Sequence, residues 1–282
     1  MLEGKPRARS GVLLAAMGAA LLAGLQAAAA QAEGCARPVR VAASPMGRSM
    51  MVSPAGQVSG IVPEFLDAVA RYSGCRFDYV VVPRVRAHAL FERGEVDLIH
   101  NSTRTDERDR YATFIHLYNT RAMLITAGAR LPDMITMSEL AGGATTFSAV
   151  RGYNFGPAYT ALLNDPVVKQ RVSLVPDPDT AARMLAVRRF DAVLMSPSVF
   201  VEAAIGADLQ DKISVTAIRG MPPHAAGMYL SVSSLDPADR ERVRDAIVAT
   251  AMRGEYGRLF RIYYANPKWA MKGWDTDLGP AR

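Results

Sequence analysis

Residues 77–99 read FDYVVVPRVRAHALFERGEVDLI, and residues 100–110 continue HNSTRTDERDR. Phe77 to Val82 is an apolar run of strand length that stops at Pro83. Arg84 to Glu92 carries a short helical pattern, Gly94 breaks it, and Val96 to Ile99 is a second apolar run. A strand, a helix and a strand in that order predict parallel pairing through a right-handed crossover. Working outward, Val39 to Ala43 reads as an earlier strand and Ser44 to Gln57 as a loop. Pro63 opens a helix whose Val62, Leu66, Val69 and Tyr72 share a face until Gly74 stops it. After a strand at Met123 to Thr126, a second α/β set follows. Its strands are Thr145–Val150, Val172–Val175 and Ala192–Met195, and its helices are Gly156–Leu163 and Thr180–Arg188. Phe200 to Ile205 continues as helix and Ile213 to Ala217 as strand. Met228 to Val232 is a strand placed to return to the first sheet, and Asp236 caps a helix from Pro237 to Met252. Periodicity alone is compatible with two lobes or with one continuous doubly wound sheet.

The 282 residues begin with a distinct leader. Lys5, Arg7 and Arg9 precede an uncharged run from Ser10 to Ala32 that ends in Ala30-Gln31-Ala32, the layout of a cleaved secretory signal over residues 1–32. Its apolar stretch, Gly11 to Leu25, is short and rich in Ala and Gly, whereas a membrane span needs about 20 strongly apolar residues. The whole chain has 33 Lys/Arg and 27 Asp/Glu. The leader removes three bases and one acid, so the expected mature chain carries +4. Without a dense basic stripe, that excess argues against a nucleic-acid partner. Half of the sequence is hydrophobic and a fifth charged, which excludes general disorder. The expected place of work is the periplasm.

Cys35 and Cys75 are the two cysteines. They are too few for a zinc site and do not form a CxxC pair. In an oxidising compartment, a bridge between them would close a loop of about 40 residues. Two buried thiols, or lipid attachment at Cys35, are the alternatives.

Three segments carry a family resemblance. Arg84 to Asp97, with Thr105-Asp-Glu-Arg108 after it, resembles the helix, turn and ligand loop of periplasmic solute-binding proteins of the amino-acid-binding type. Glu139-Leu-Ala-Gly142 and Phe147-Ser-Ala-Val-Arg-Gly-Tyr-Asn154 are similar to that family's entry into its second lobe. Phe190-Asp-Ala-Val-Leu-Met-Ser196 is similar to the strand that returns a binding residue to the cleft. The segments occur in family order, and the resemblance spans residues 38–265. It implies an α/β, two-lobed periplasmic-binding-protein fold with a hinge and a central ligand cleft. Residues 33–127 then form the first segment of lobe 1, 128–218 lobe 2, and 219–282 the return to lobe 1 with C-terminal helices. The crossings are expected near Gly128–Asp133 and Ala217–Pro223.

The resemblance also implies roles. Arg108 is expected to receive a ligand carboxylate, because a planar guanidinium presents two parallel donors. His100, Asn101 and Thr103 lie in the loop before it as candidate polar contacts, with loop capping or a structural hydrogen bond as the plainer alternative. Tyr118 stands at the family's aromatic position and is a candidate wall. Tyr153 and Asn154 follow Gly152 in the second lobe, where an Asx-stabilised turn is the competing reading. Arg84 or Arg86 is expected to edge the cleft or else to face solvent. Ser196 is the main departure: relatives usually place there an aspartate that pairs with a ligand ammonium. A hydroxyl cannot replace that charge in a dry cleft.

The expected function is therefore capture of a small organic carboxylate by a monomer that delivers it to an inner-membrane permease of the ABC type. Binding of a polar amino acid and coupling to a sensor are alternatives, as is a dehydratase-like enzyme on the same fold. No cofactor or metal is implied, and no nucleophile–base arrangement or metal-ligand cluster is legible.

Overall fold

The computed structural model describes residues 34–128, 131–265 and 276–277; the expected leader lies outside the described residues. Strands β1 (Val39–Ala43), β2 (Met51–Val52), β3 (Val58–Ser59), β4 (Phe77–Val81), β5 (Leu98–Thr103) and β6 (Ala112–Thr120) come first. They are followed by β7 (Met123–Ala127), β8 (Met134–Thr136), β9 (Phe147–Val150), β10 (Val172–Val175), β11 (Ala192–Met195) and β12 (Ile213–Arg219). β13 (His224–Ser231) and β14 (Thr276–Asp277) close the series. One six-stranded sheet has the order β14-β6-β13-β5-β1-β4 and the other β10-β9-β11-β7-β12-β8, so the chain is two-lobed and the continuous-sheet alternative is set aside. β1 pairs in parallel with β4 and β5, as the strand–helix–strand reading requires.

The helices form where sequence supplies both a face and a stop. In Ile61–Ser73 the buried Ile61, Val62, Phe65, Leu66 and Val69 make the core stripe, while Tyr72 turns outward. Gly74 closes that helix in the left-handed conformation, its N–H donating to the Ala70 carbonyl. Proline occupies the first helical position of Pro157–Asn164, Pro178–Ala186, Pro197–Gly206 and Pro237–Met252, where its missing N–H costs nothing. Asp236 caps the last of these by accepting from the Ala238 amide at 2.8 Å. Among the described residues no helix is long and apolar enough to cross a membrane.

The boundary expected at Gly128–Asp133 is corrected. β7 lies inside the second sheet, antiparallel to both β11 and β12, so the chain leaves lobe 1 at Arg121–Ala122. It returns through Gly220–Pro223, within the expected second crossing. The two crossings run side by side: His224 is the register partner of Thr120 in the first sheet, and Thr216 of Leu124 in the second. Gly220 sits in the return crossing at φ 97°, where a side chain would be strained and would meet Met137.

Cys35 and Cys75 are joined by a disulfide, with Cα atoms 4.8 Å apart. The bridge fastens the segment before β1 to the end of the Ile61–Ser73 helix, and it sets aside the free-thiol and lipid-anchor alternatives. Reduction, or the paired C35S/C75S replacement, is expected to lower the unfolding free energy by about 2–4 kcal/mol. Urea unfolding with and without reductant measures this, and coincident curves would show that the bridge contributes nothing.

Candidate functional site

Between the lobes lies a cleft with about 620 Å³ of empty space, its open mouth included. Seven of the eight expected site residues line it: Asn101, Thr103, Arg108, Tyr118, Tyr153, Asn154 and Ser196. His100 does not. Its side chain is completely buried, and the residue serves the site through its backbone carbonyl. Burial and the neighbouring Arg84 lower the His100 imidazole to about 3, so it is neutral at physiological pH.

The first-lobe wall is built on the end of β5. Arg108 stands in the short helix Asp106–Asp109, whose N-cap Thr105 accepts from the Arg108 amide, and the Arg108 Nη1 donates to the Thr103 carbonyl at 3.0 Å. Tyr118 comes from β6 and stacks on Tyr256 with ring centroids 5.5 Å apart. That fixes the ring as a wall rather than a mobile cover.

The second-lobe wall follows β9 and β11. Asn154 makes the Asx turn that is the competing reading for it: its Oδ1 accepts from the Gly156 amide at 2.8 Å, while its backbone carbonyl faces lobe 1. Gly152, at φ 79°, lets this loop approach the helix of the opposite lobe, because an added Cβ would stand 3.0 Å from a Val85 methyl. Ser196 ends β11 and precedes the helix Pro197–Gly206, with its Oγ 2.7 Å from the Ser198 Oγ.

The lobes touch across the cleft. Thr103 Oγ1 donates to the Asn154 carbonyl at 2.5 Å, and the Tyr153 hydroxyl donates to the Pro45 carbonyl at 3.3 Å. Arg48 pairs with Glu202, and the Tyr264 hydroxyl reaches the Ser198 carbonyl at 2.7 Å. These bonds join the end of β5, the loop after β1 and the C-terminal segment to the second lobe.

Arg84 is the residue that sequence reasoning underweighted. It leads the helix Arg84–Glu92, and the residues buried with it are Ala87, Leu90 and Phe91, so the arginine lies on the core-facing side while Val85 is 55% exposed. The helical spacing 84, 87, 91 was the available signal. Arg84 is 7% exposed and donates from Nη1 to the His100 carbonyl at 2.9 Å. Its Nη2 donates to the Asn101 carbonyl at 3.1 Å and to Ser102 Oγ at 3.0 Å. Burial, with the repulsion of Arg108, lowers its guanidinium to about 10, still charged at neutral pH. His88, one turn on, also lines the cleft; burial and then the two arginines push it down to about 2, so it is a neutral polar wall. No aspartate or glutamate lines the cleft among the described residues. Nor does any group of acidic, His or Cys side chains there have the arrangement to hold a metal.

Two α/β lobes, a paired crossing and a cleft between the lobes lined by polar and aromatic side chains define a bilobed ligand-capture protein. Residues 39–266 match the family model of bacterial extracellular solute-binding proteins, family 3, and the chain belongs to that family. The family is one of solute-binding rather than catalytic proteins, and it places this chain in the periplasm. No functionally curated protein gives a match. Solved structures share the fold. The arginine-, lysine-, histidine-binding protein ArtJ from Geobacillus stearothermophilus is 18% identical with a TM-score of 0.66, over 82% of this chain and 96% of that one. A histidine kinase sensor domain with similarity to periplasmic binding proteins is 16% identical with a TM-score of 0.66, over 81% and 96%. The GluR0 ligand-binding core in complex with L-glutamate is 17% identical with a TM-score of 0.65, over 81% and 98%.

Proposed function

We propose that this protein captures a small organic carboxylate between its lobes and presents it to an ABC-type permease in the inner membrane. At the coarser level, a small polar solute is the ligand class of the family. The observation that carries the finer reading is the charge of the cleft: Arg108 offers a carboxylate clamp, whereas Ser196 stands at the position of the expected acid and no carboxylate lines the walls among the described residues. A ligand ammonium buried there would have no counter-charge, at a cost of several kcal/mol.

A polar amino acid is the second reading. It is favoured by the family itself and by solved structures of similar fold described as bound to L-arginine, to histidine or to L-glutamate. Delivery to a sensor rather than a permease is supported by the kinase sensor domain of the same fold.

Mass spectrometry of small molecules released by denaturing natively purified protein separates the ligand readings. The expected species carries a carboxylate and no α-ammonium group. A stoichiometrically retained α-amino acid would overturn the carboxylate reading.

A further inference from the structure

We propose that Arg84 is a second anion receptor, and that the cleft selects a dicarboxylate whose two acid groups are separated by a short linker. The inference rests on the carboxylate reading above and extends it from one charge to two. Arg84 is buried on the core side of its helix and lines the cleft, yet it has no acidic partner among the described residues. Its three bonds go to the carbonyls of His100 and Asn101 and to the Ser102 hydroxyl, all uncharged acceptors that fix its direction without neutralising it. Its Nε, also buried, has no acceptor. A guanidinium in that state costs folding free energy unless something anionic arrives.

Arg108 cannot share a single carboxylate with Arg84 without leaving the pair at net positive charge. The two side chains repel each other, and the lining supplies no acid to offset either. Their anchoring points also differ. Arg84 is held by the Asn101 carbonyl and Arg108 by the Thr103 carbonyl, two residues further along β5. Asn101 itself adopts the left-handed conformation at φ 46°, which turns its carbonyl, like that of His100, toward Arg84 and away from the regular strand spacing. Two guanidinium groups held at separate carbonyls, with no acid in the lining between them, match a ligand that carries two acid groups better than one that carries a single carboxylate. His88 is neutral and adjacent, and can donate to a ligand oxygen without adding charge.

Titration calorimetry on the wild-type mature protein, cleared of retained ligand by unfolding and refolding, tests this. The probes are malonate, succinate and glutarate, their half-amides, the monoacid butyrate, and inorganic phosphate and sulfate. The best diacid is expected to bind roughly 10–100-fold more tightly than its half-amide, the worth of one charge-assisted contact. R84Q is expected to weaken that diacid by a similar factor and to bring the diacid-to-half-amide ratio close to one. R84K keeps the charge but not the fork and should fall between. If R84Q fails to fold, the wild-type ratio decides alone. Half-amides or butyrate binding as well as diacids would overturn the dicarboxylate inference and leave carboxylate capture standing, and phosphate or sulfate binding most tightly would also overturn it. Failure of every carboxylate to bind would sink both.

Discussion

Arg108→Ala is expected to weaken carboxylate binding by about 2–4 kcal/mol, which corresponds to roughly 30- to 1000-fold in Kd. The size follows from what the arginine does. Its Nη1 is already committed to the Thr103 carbonyl and its helix is capped by Thr105, so the guanidinium is positioned before the ligand arrives. Truncation leaves the carboxylate at that end of the ligand without its charged donors, and Arg84, held in its own direction by three acceptors, does not move over to replace them. Calorimetry with succinate and butyrate on R108A and R108K reads the effect. The lysine variant should recover only part of the loss, because one ammonium cannot reproduce the two parallel donors. Wild-type affinity in R108A would remove this arginine from the site.

The second large effect is on stability. Asp97 is fully buried just before β5, between Arg40 of β1 and Ser231 of β13, and accepts from Arg37 at 2.6 and 2.8 Å, from the Arg40 side chain at 2.8 and 3.1 Å, and from the Arg40 amide at 2.8 Å. Burial by itself would raise its pKa. The bonds from Arg37 and Arg40 outweigh that and hold the carboxyl well below its ordinary value of 3.8. Asp97→Ala should therefore cost about 1–3 kcal/mol of unfolding free energy, since it removes the acceptor of the Arg40 amide and of two guanidinium groups that water can partly rehydrate. The pH dependence has a definite sign. With the folded value depressed, the stabilisation is complete above about pH 4 and declines as pH falls toward the folded value. Chemical unfolding between pH 7 and pH 2 should show the wild type losing more stability than D97A over that acid range. Parallel curves would refute the linkage. Ligand affinity should change little, because Asp97 is not in the cleft wall.

Much of this architecture is legible without coordinates. The helix expected at Arg84–Glu92 forms over those residues, and the Pro237 helix starts at the expected cap. These succeed because prolines, glycines and capping side chains act locally. What escaped was decided by neighbours. β6 has nine residues, carries His116 in its middle, and shifts register against β13 between Ala226 and Gly227, so its inward and outward positions do not alternate cleanly. The sequence places the first crossing near Gly128–Asp133, where a Gly- and Pro-containing segment follows the Met123–Thr126 strand. Instead the chain turns at Arg121–Ala122, where its path is held by the strand beside it rather than by its own residues. The site follows the same division. Arg108, Thr103 and Asn154 are found by motif position, whereas Arg84 is hidden by a polarity inversion: the charged residue faces in and its apolar neighbour Val85 faces out.

The register pairing of Thr120 with His224 has a consequence for how such a protein can be altered over time. The two ends of the inserted lobe leave the first lobe as neighbours, the geometry of a cassette spliced into a hairpin. Both arginines of the cleft lie on the host side of that splice, at positions 84 and 108. A lineage could therefore exchange or reshape the cassette, and with it one wall of the cleft and the surface that lobe offers to other proteins, while the charged wall carrying both arginines passes on intact.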